Sequence, residues 1–212
     1  MSPKVDNRWL SEALAFDRLY ARTAFESRIP ILGDMQRRRL EDRLRQALAF
    51  VETCGAARLL DIGCGSGRFA LEAARRGVTV IGYDISEEAI ARAKVLAERA
   101  GVQDRCLFEC VDITAVEFPP ADAWFDLGCL QYVERTEDVL QALSHVPGVF
   151  SCLPRRGHAL NLLRYVYRTV LKGSAFRTFS ESELRRLLAA WEPVDIEADG
   201  NRFWITRPCS DV

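Results

Sequence analysis

A chain of 212 residues has room for one domain with a substantial core, or for one domain and a modest cap. Its formal charge of −1 leaves no excess of basic groups, on which non-specific nucleic-acid binding rests. No apolar run approaches the roughly 20 residues that span a bilayer, and the start lacks the apolar stretch of a signal peptide. The expectation is a soluble cytoplasmic protein with no membrane or nucleic-acid partner, working as a monomer or homodimer.

Residues 1–30 read as a loose start and one amphipathic helix, with Trp9, Leu10, Leu14, Phe16, Leu19 and Tyr20 as its apolar positions. A second helix is expected from Gly33 to Thr53. Leu40, Leu44, Leu48 and Val51 share one face, and Gly55 stops it. Arg37, Arg38, Arg39, Arg43 and Arg45 crowd the same segment, either as a solvated face or with one or two meeting an acidic ligand.

Arg58 to Asp84 is the stretch around which the rest is organised. Leu59 to Ile62 is a short apolar strand that includes a carboxylate, Asp61, and three glycines follow at alternate positions: Gly63, Gly65 and Gly67. Phe69, Ala70, Ala73 and Ala74 then recur at helical spacing, and Gly77 is the C-terminal stop. Val78 to Tyr83 is a second strand, ending at Asp84. Strand, glycine turn, helix and strand form a βαβ unit, whose crevice at the carboxyl ends of the strands is where open α/β sheets bind ligands. Residues without Cβ let the backbone turn sharply and bring N–H groups against a ligand, and the helix that follows favours an anionic group. A dinucleotide fingerprint G-x-G-x-x-G fails, because its third glycine is replaced by Arg68. The spacing is instead D-x-G-x-G-x-G. An acid beside the turn suits a ligand carrying an ammonium group, and Asp84 is placed to accept two hydrogen bonds from a ribose diol.

L-L-D-I-G-C-G-S-G-R-F followed by V-I-G-Y-D-I-S resembles motifs I and II of the class I S-adenosylmethionine-dependent methyltransferases. The order of elements extends the likeness from about Arg58 to Pro208. The resemblance implies an α/β, Rossmann-like, seven-stranded, mostly parallel sheet with a C-terminal antiparallel hairpin, helices on both faces and an N-terminal helical cap. Residues 1–55 would be the cap and 56–212 the core, with a helical insertion at about 155–178. It implies S-adenosyl-L-methionine as the cofactor and no metal. The Gly63–Gly67 turn, Cys64 included, would wrap the methionine half, while Asp84 and the adjoining Ile85 would face the ribose. Tyr20 is a candidate contact from the cap, or else ordinary packing.

Further along, Ser86 fits an N-cap, and Ile90, Ala93, Ala97 and Ala100 continue a helix to Gly101. A third strand, Cys106 to Val111, runs up to Asp112. The resemblance assigns Asp112 to the adenine amino group and the Ile113 backbone to a ring nitrogen; the residues alone also allow an Asx turn or helix cap. Pro119 and Pro120 make an extended loop. Ala123 to Leu130 resembles the fourth strand, with Leu130 at the cofactor and Gln131, Tyr132, Val133 and Glu134 on the acceptor side. Tyr132 and Glu134 are candidate general bases or acceptor ligands, or the start of a helix running through Val139 to His145. Neither the D-P-P-Y type of motif of base methylation nor the paired glutamates of protein-arginine methyltransferases is present.

A fifth strand is expected at Val149–Leu153, then a helix from about His158 to Leu171. Arg164, Arg168 and Lys172 form a basic stripe on it, either a surface or a lid for an acidic substrate in which Arg155 joins. His158 is a candidate base. Ser180 and Glu183 form a capping box for a helix to Trp191, and Val194–Ala198 and Phe203–Thr206 form the last hairpin. Seven cysteines show no C-x-x-C pair. Cys64, Cys110, Cys129 and Cys152 read as buried free thiols.

The layout after the fifth strand also resembles the magnesium-protoporphyrin O-methyltransferase branch, which leans the acceptor towards a small, acidic organic molecule. O-methylation is favoured, with N or C open. Two other readings stand: a non-catalytic cofactor-binding or scaffolding protein, and an RNA methyltransferase.

Overall fold

A computed structural model describes residues 30–155, 177–191, 193–199 and 202–209. The first helix of the cap and the helix expected at His158–Leu171 lie outside these residues. So do four of the residues singled out above: Tyr20, His158, Arg164 and Arg168.

The described chain begins with α1 (Pro30–Thr53), followed by β1 (Arg58–Ile62), α2 (Arg68–Arg75), β2 (Thr79–Asp84) and α3 (Glu87–Ala100). Next come β3 (Cys106–Cys110), β4 (Ala123–Asp126), α4 (Thr136–Ala142) and β5 (Gly148–Cys152). The last elements are α5 (Glu181–Leu187), β6 (Asp195–Asp199) and β7 (Arg202–Arg207). One sheet holds all seven strands in the order β3-β2-β1-β4-β5-β7-β6. The first five are parallel, whereas β7 is antiparallel to both β5 and β6. This is the Rossmann-like sheet with a C-terminal antiparallel hairpin that the motifs imply.

Strands β1, β4 and β5 are buried along almost their whole length because helices cover both faces. On one face Leu40, Ala47, Leu48 and Val51 of α1 pack with Phe69, Ala70 and Ala73 of α2 and Ile90, Ala93 and Ala97 of α3. On the other, Val139 and Leu140 of α4 and Leu184, Leu188 and Trp191 from α5 and the turn after it meet Leu60, Ile62 and Phe150. Trp191 stands edge-on to both Trp124 and Phe150, and its indole N–H donates to Leu140 O (3.2 Å).

Helix limits follow local chemistry. Ser86 accepts from Ala89 N at the start of α3, and the Ser180–Glu183 capping box is formed at the start of α5. Gly77 closes α2 at φ +92°, a conformation that a Cβ disfavours.

Three expectations are corrected. The fourth strand stops at Asp126, not Leu130, because the Asp126 carboxylate takes the next backbone N–H groups and folds residues 128–130 into a turn. The helix through Val139 ends at Ala142, three residues before His145; Pro147 lies close by and disfavours helical geometry at the residue before it. Cys110 is exposed and not buried. Cys54, just past α1, is disulfide-bonded to Cys209 just past β7, with Cα atoms 5.5 Å apart, which ties the end of α1 to the end of β7. Among the described residues, no helix is long and apolar enough to cross a membrane.

Candidate functional site

The glycine turn is held by β2. Gly63 N and Cys64 N both donate to Tyr83 O (2.8 and 2.9 Å), and Gly65 N donates to Asp84 Oδ2 (2.9 Å). Gly63 lies at φ +71°, and a Cβ there would fall 2.2 Å from Cys129 Cβ, so the turn after β4 closes directly on this glycine. Gly67, at φ +79°, opens α2 with no side-chain cap. Its missing Cβ leaves room for Phe108 of β3, whose ring would be only 2.9 Å away. The N–H groups of Gly63, Cys64, Gly65 and Gly67 are thus all bonded within the protein, which fixes the turn between the end of β1 and the start of α2.

The carboxyl edge of the sheet carries a row of acids. Asp84 Oδ1 accepts from Ser86 N (2.9 Å), so both its oxygens hold backbone, and the carboxylate is fixed at the mouth of the crevice. Asp61 is 2 % exposed, and its Oδ2 is buried with no hydrogen-bond partner. Burial pushes its carboxyl well above the usual range, and the fields of Asp126 and Asp84 add to that; a hydrogen bond from Ala70 backbone opposes it. A buried carboxylate with an open acceptor and two acids beside it calls for a cation. A ligand bearing an ammonium and a sulfonium meets that demand, and a pyrophosphate does not.

Asp126, which the sequence reading did not single out, is fully buried at the end of β4. It accepts from Gly128 N (3.0 Å), Cys129 N (2.5 Å) and Leu130 N (3.2 Å). Burial raises its pKa to about 6, against the pull of those N–H groups and of Arg202. A signal for it was present: an acid lies at or near the end of each of the first four strands, at Asp61, Asp84, Asp112 and Asp126. Desolvation and the neighbouring acids also raise the Cys64 and Cys129 thiols, which stay protonated and are poor nucleophiles.

Of the other residues singled out, Asp112 Oδ1 accepts from Thr114 N (2.9 Å) and Thr114 Oγ1 (2.8 Å), forming the Asx turn that was its alternative reading. Ile113 and Leu130 are buried among the residues under α4 and α5, and Leu130 N is held by Asp126. Ile85 is half-buried beside Asp84, and its carbonyl accepts from the Cys110 thiol. Tyr132 is half-buried and Glu134 is exposed. Arg155 pairs with Glu183 (2.7 Å) and donates to Thr178 O (3.3 Å), and Arg177 bridges the same glutamate to Glu137. That network ties the end of β5 to the start of α5.

A family model described as a methyltransferase domain matches residues 55–189. The chain is 40 % identical over 110 residues to 27-O-demethylrifamycin SV methyltransferase of Amycolatopsis mediterranei (strain S699), covering 51 % of this chain and 35 % of that protein. It is 32 % identical over 127 residues to the ubiquinone biosynthesis O-methyltransferase of Klebsiella pneumoniae (strain 342), covering 55 % and 52 %. The chain thus spans about a third to a half of the length of these curated relatives. Its fold matches that of magnesium protoporphyrin IX methyltransferase from Synechocystis PCC 6803 with bound SAH, at a TM-score of 0.70 and 18 % identity, over 96 % of this chain and 98 % of that one. With its motifs, sheet order and family match in agreement, the chain belongs to the class I S-adenosylmethionine-dependent methyltransferases.

Proposed function

We propose that this chain transfers a methyl group from S-adenosylmethionine to a small, acidic organic acceptor, with oxygen as the favoured attacking atom. The observation that carries the cofactor half of this reading is Asp61, buried with an open acceptor oxygen among further acids. When bound, S-adenosylmethionine supplies an electrophilic methyl on a sulfonium. Asp61 and the turn from Gly63 through Cys64 and Gly65 to Gly67 would hold its methionine half. Asp84 and Ile85 would hold the ribose, Asp112 and Ile113 the adenine, with Leu130 and Tyr20 closing the pocket.

The protein's task is then alignment. Holding two reactants in attacking geometry lowers a barrier by about 7–11 kcal/mol, without any covalent role for the enzyme. A carboxylate acceptor is ionised at neutral pH and needs no base. A phenol would gain about 10²–10⁴-fold from one, and Tyr132, Glu134 and His158 are the candidates. Arg155, Arg164 and Arg168 belong to the same proposal as ligands for an acidic acceptor; Arg155 would have to leave Glu183 to serve. Two curated relatives named as O-methyltransferases, or as methylating at a numbered oxygen, support the preference for oxygen.

Calorimetry with S-adenosylhomocysteine tests the cofactor half, where micromolar or tighter binding is expected. Transfer of a radiolabelled methyl group to a panel of carboxylic acids and phenols then separates an enzyme from a scaffold. Binding without any transfer would favour the scaffold, and no binding would remove both. The cytoplasmic setting is part of the proposal. The Cys54–Cys209 bridge pulls against it, because such bonds are rare in reducing compartments. Counting free thiols in protein from its own host decides that point.

A further inference from the structure

Of the seven cysteines, two are bonded to each other and five are free. Cys64 and Cys152 are buried, Cys106 and Cys129 are half-buried, and Cys110 is exposed. Five thiols, one of them exposed, fit a reducing compartment, and the disulfides found there are usually transient, catalytic or redox-sensing. Cys54 and Cys209 are both half-buried, within reach of a small dithiol.

The bond sits where α1 is least firmly held. A cavity of about 170 Å³ lies under the last turns of the helix, lined by Leu48, Val51, Gly55 and Ala56 on one side and by Ala73 and Val78 on the other. Glu52 and Arg76, which also line it, pair at 3.4 Å, but both side chains are exposed and such pairs contribute little. The Cys54–Cys209 bond is therefore the firmest tie at this end of α1, and it runs to β7, which is paired on both sides in the sheet. About three turns earlier in the helix, roughly 16 Å along its axis, Arg43 Nη1 donates to Leu127 O (2.6 Å). Leu127 lies between Asp126 and Gly128, at the start of the turn in which Cys129 abuts Gly63. Helix α1 thus joins the disulfide to the glycine turn.

We propose that Cys54–Cys209 is a reversible thiol switch on cofactor binding, transmitted by α1. Bonded, it pins the end of α1 to β7 and keeps Arg43 on Leu127 O, so the turn after β4 stays closed on Gly63. Reduction frees the end of α1, and the Arg43 tie and that turn loosen together. The step takes two electrons and two protons from a dithiol. One of its thiolates attacks Cys54 or Cys209 and the S–S bond breaks. Its second thiolate then resolves the mixed disulfide, leaving two cysteine thiols and an oxidised, cyclic dithiol. The switch rests on the reading of the Gly63–Gly67 turn as the cofactor cradle.

The protein is prepared with the bond closed and again after reduction by dithiothreitol; free thiols are counted, and S-adenosylhomocysteine is titrated by calorimetry. The count should rise from five to seven. Affinity should fall by about fivefold or more, the lower end of ordinary coupling between two sites. Oxidised glutathione should restore both. Across glutathione mixtures, affinity should track the fraction of Cys54 bonded to Cys209 in peptide mass mapping, which a purely structural bond would not show. The double variant Cys54→Ser, Cys209→Ser should bind as reduced wild type does and ignore dithiothreitol, and Arg43→Met should bind at that level in either state. Equal affinity of the two forms, a bond that native protein keeps against dithiothreitol, or unfolding on reduction overturns the switch and leaves the cofactor reading intact. So does a response to dithiothreitol that survives in the double variant or in Arg43→Met. Failure of the oxidised protein to bind S-adenosylhomocysteine overturns the cofactor reading, and the switch with it.

Discussion

Along β1 to β3 the carboxyl edge of the sheet is made by backbone and by residues close in sequence. Gly63, Gly65 and Gly67 turn the chain, Tyr83 O gathers two N–H groups, and Asp84 reaches back 19 residues to Gly65 N. Along β4, β5 and β7 the edge is made by side chains that meet from far apart: Arg202 and Ser151 are 51 residues distant, and Arg43 of α1 reaches 84 residues to Leu127 O. The first half is set by backbone conformation, because few backbone paths satisfy three left-handed glycines in five residues. The second is set by who packs against whom, so substitutions there can change it without disturbing the glycine turn.

Substitutions can break that contrast. Gly63→Ala acts where the halves touch: it puts a Cβ against Cys129 and strains a residue at φ +71°. The combined cost is roughly 3 kcal/mol, read as about a 100-fold loss of S-adenosylhomocysteine affinity or as insoluble protein. Cys129→Gly in the same chain should restore part of it. Affinity within threefold of wild type in Gly63→Ala alone would mean that the two turns do not abut. Asp84→Ala belongs to the first half and should weaken S-adenosylhomocysteine by about 1–3 kcal/mol, as stranded donors lose their partner. An unchanged dissociation constant would remove the ribose assignment.

Asp126 tests the second half through pH. Its pKa is about 6 folded against 3.8 for the free group, so between those values the folded state holds the extra proton. Stability from this group is therefore present at low pH and lost as pH rises through 6. Wild type should lose roughly 2 kcal/mol relative to Asp126→Asn between pH 4 and pH 7 in chemical denaturation. A constant difference would place the carboxylate in a wetter setting. The smallest effect is expected from Arg43→Met, which removes the 2.6 Å bond to Leu127 O: about 1 kcal/mol, or a melting temperature lower by about 2–4 °C.

The glycine motif was readable because it is local: D-x-G-x-G-x-G and a strand-end Asp fix a turn whatever the rest of the chain does. The same holds for the Ser180–Glu183 capping box and for Gly77 as a helix stop. The early end of β4 was not readable, since W-F-D-L-G-C-L continues as a good strand until Asp126 is given three N–H groups to bind. Asp112 was legible in place, and its bonds to Thr114 are the local alternative that the residues allowed. Arg202 carried no signal at all. It sits at a hairpin start amid ordinary residues, and only the antiparallel return of β7 brings it to the carboxyl end of β5, beside Ser151.

By itself the amino-acid order determined the sequence of strands and helices, the cradle of glycines and its acids, and with them the family. Backbone conformation and hydrogen bonds spanning some twenty residues suffice for that. Tertiary packing decided the other half: which buried acid holds the turn after β4, and which residues the return of β7 brings against β5. Those are encounters between residues that no local rule connects, and they exist only once the sheet is assembled.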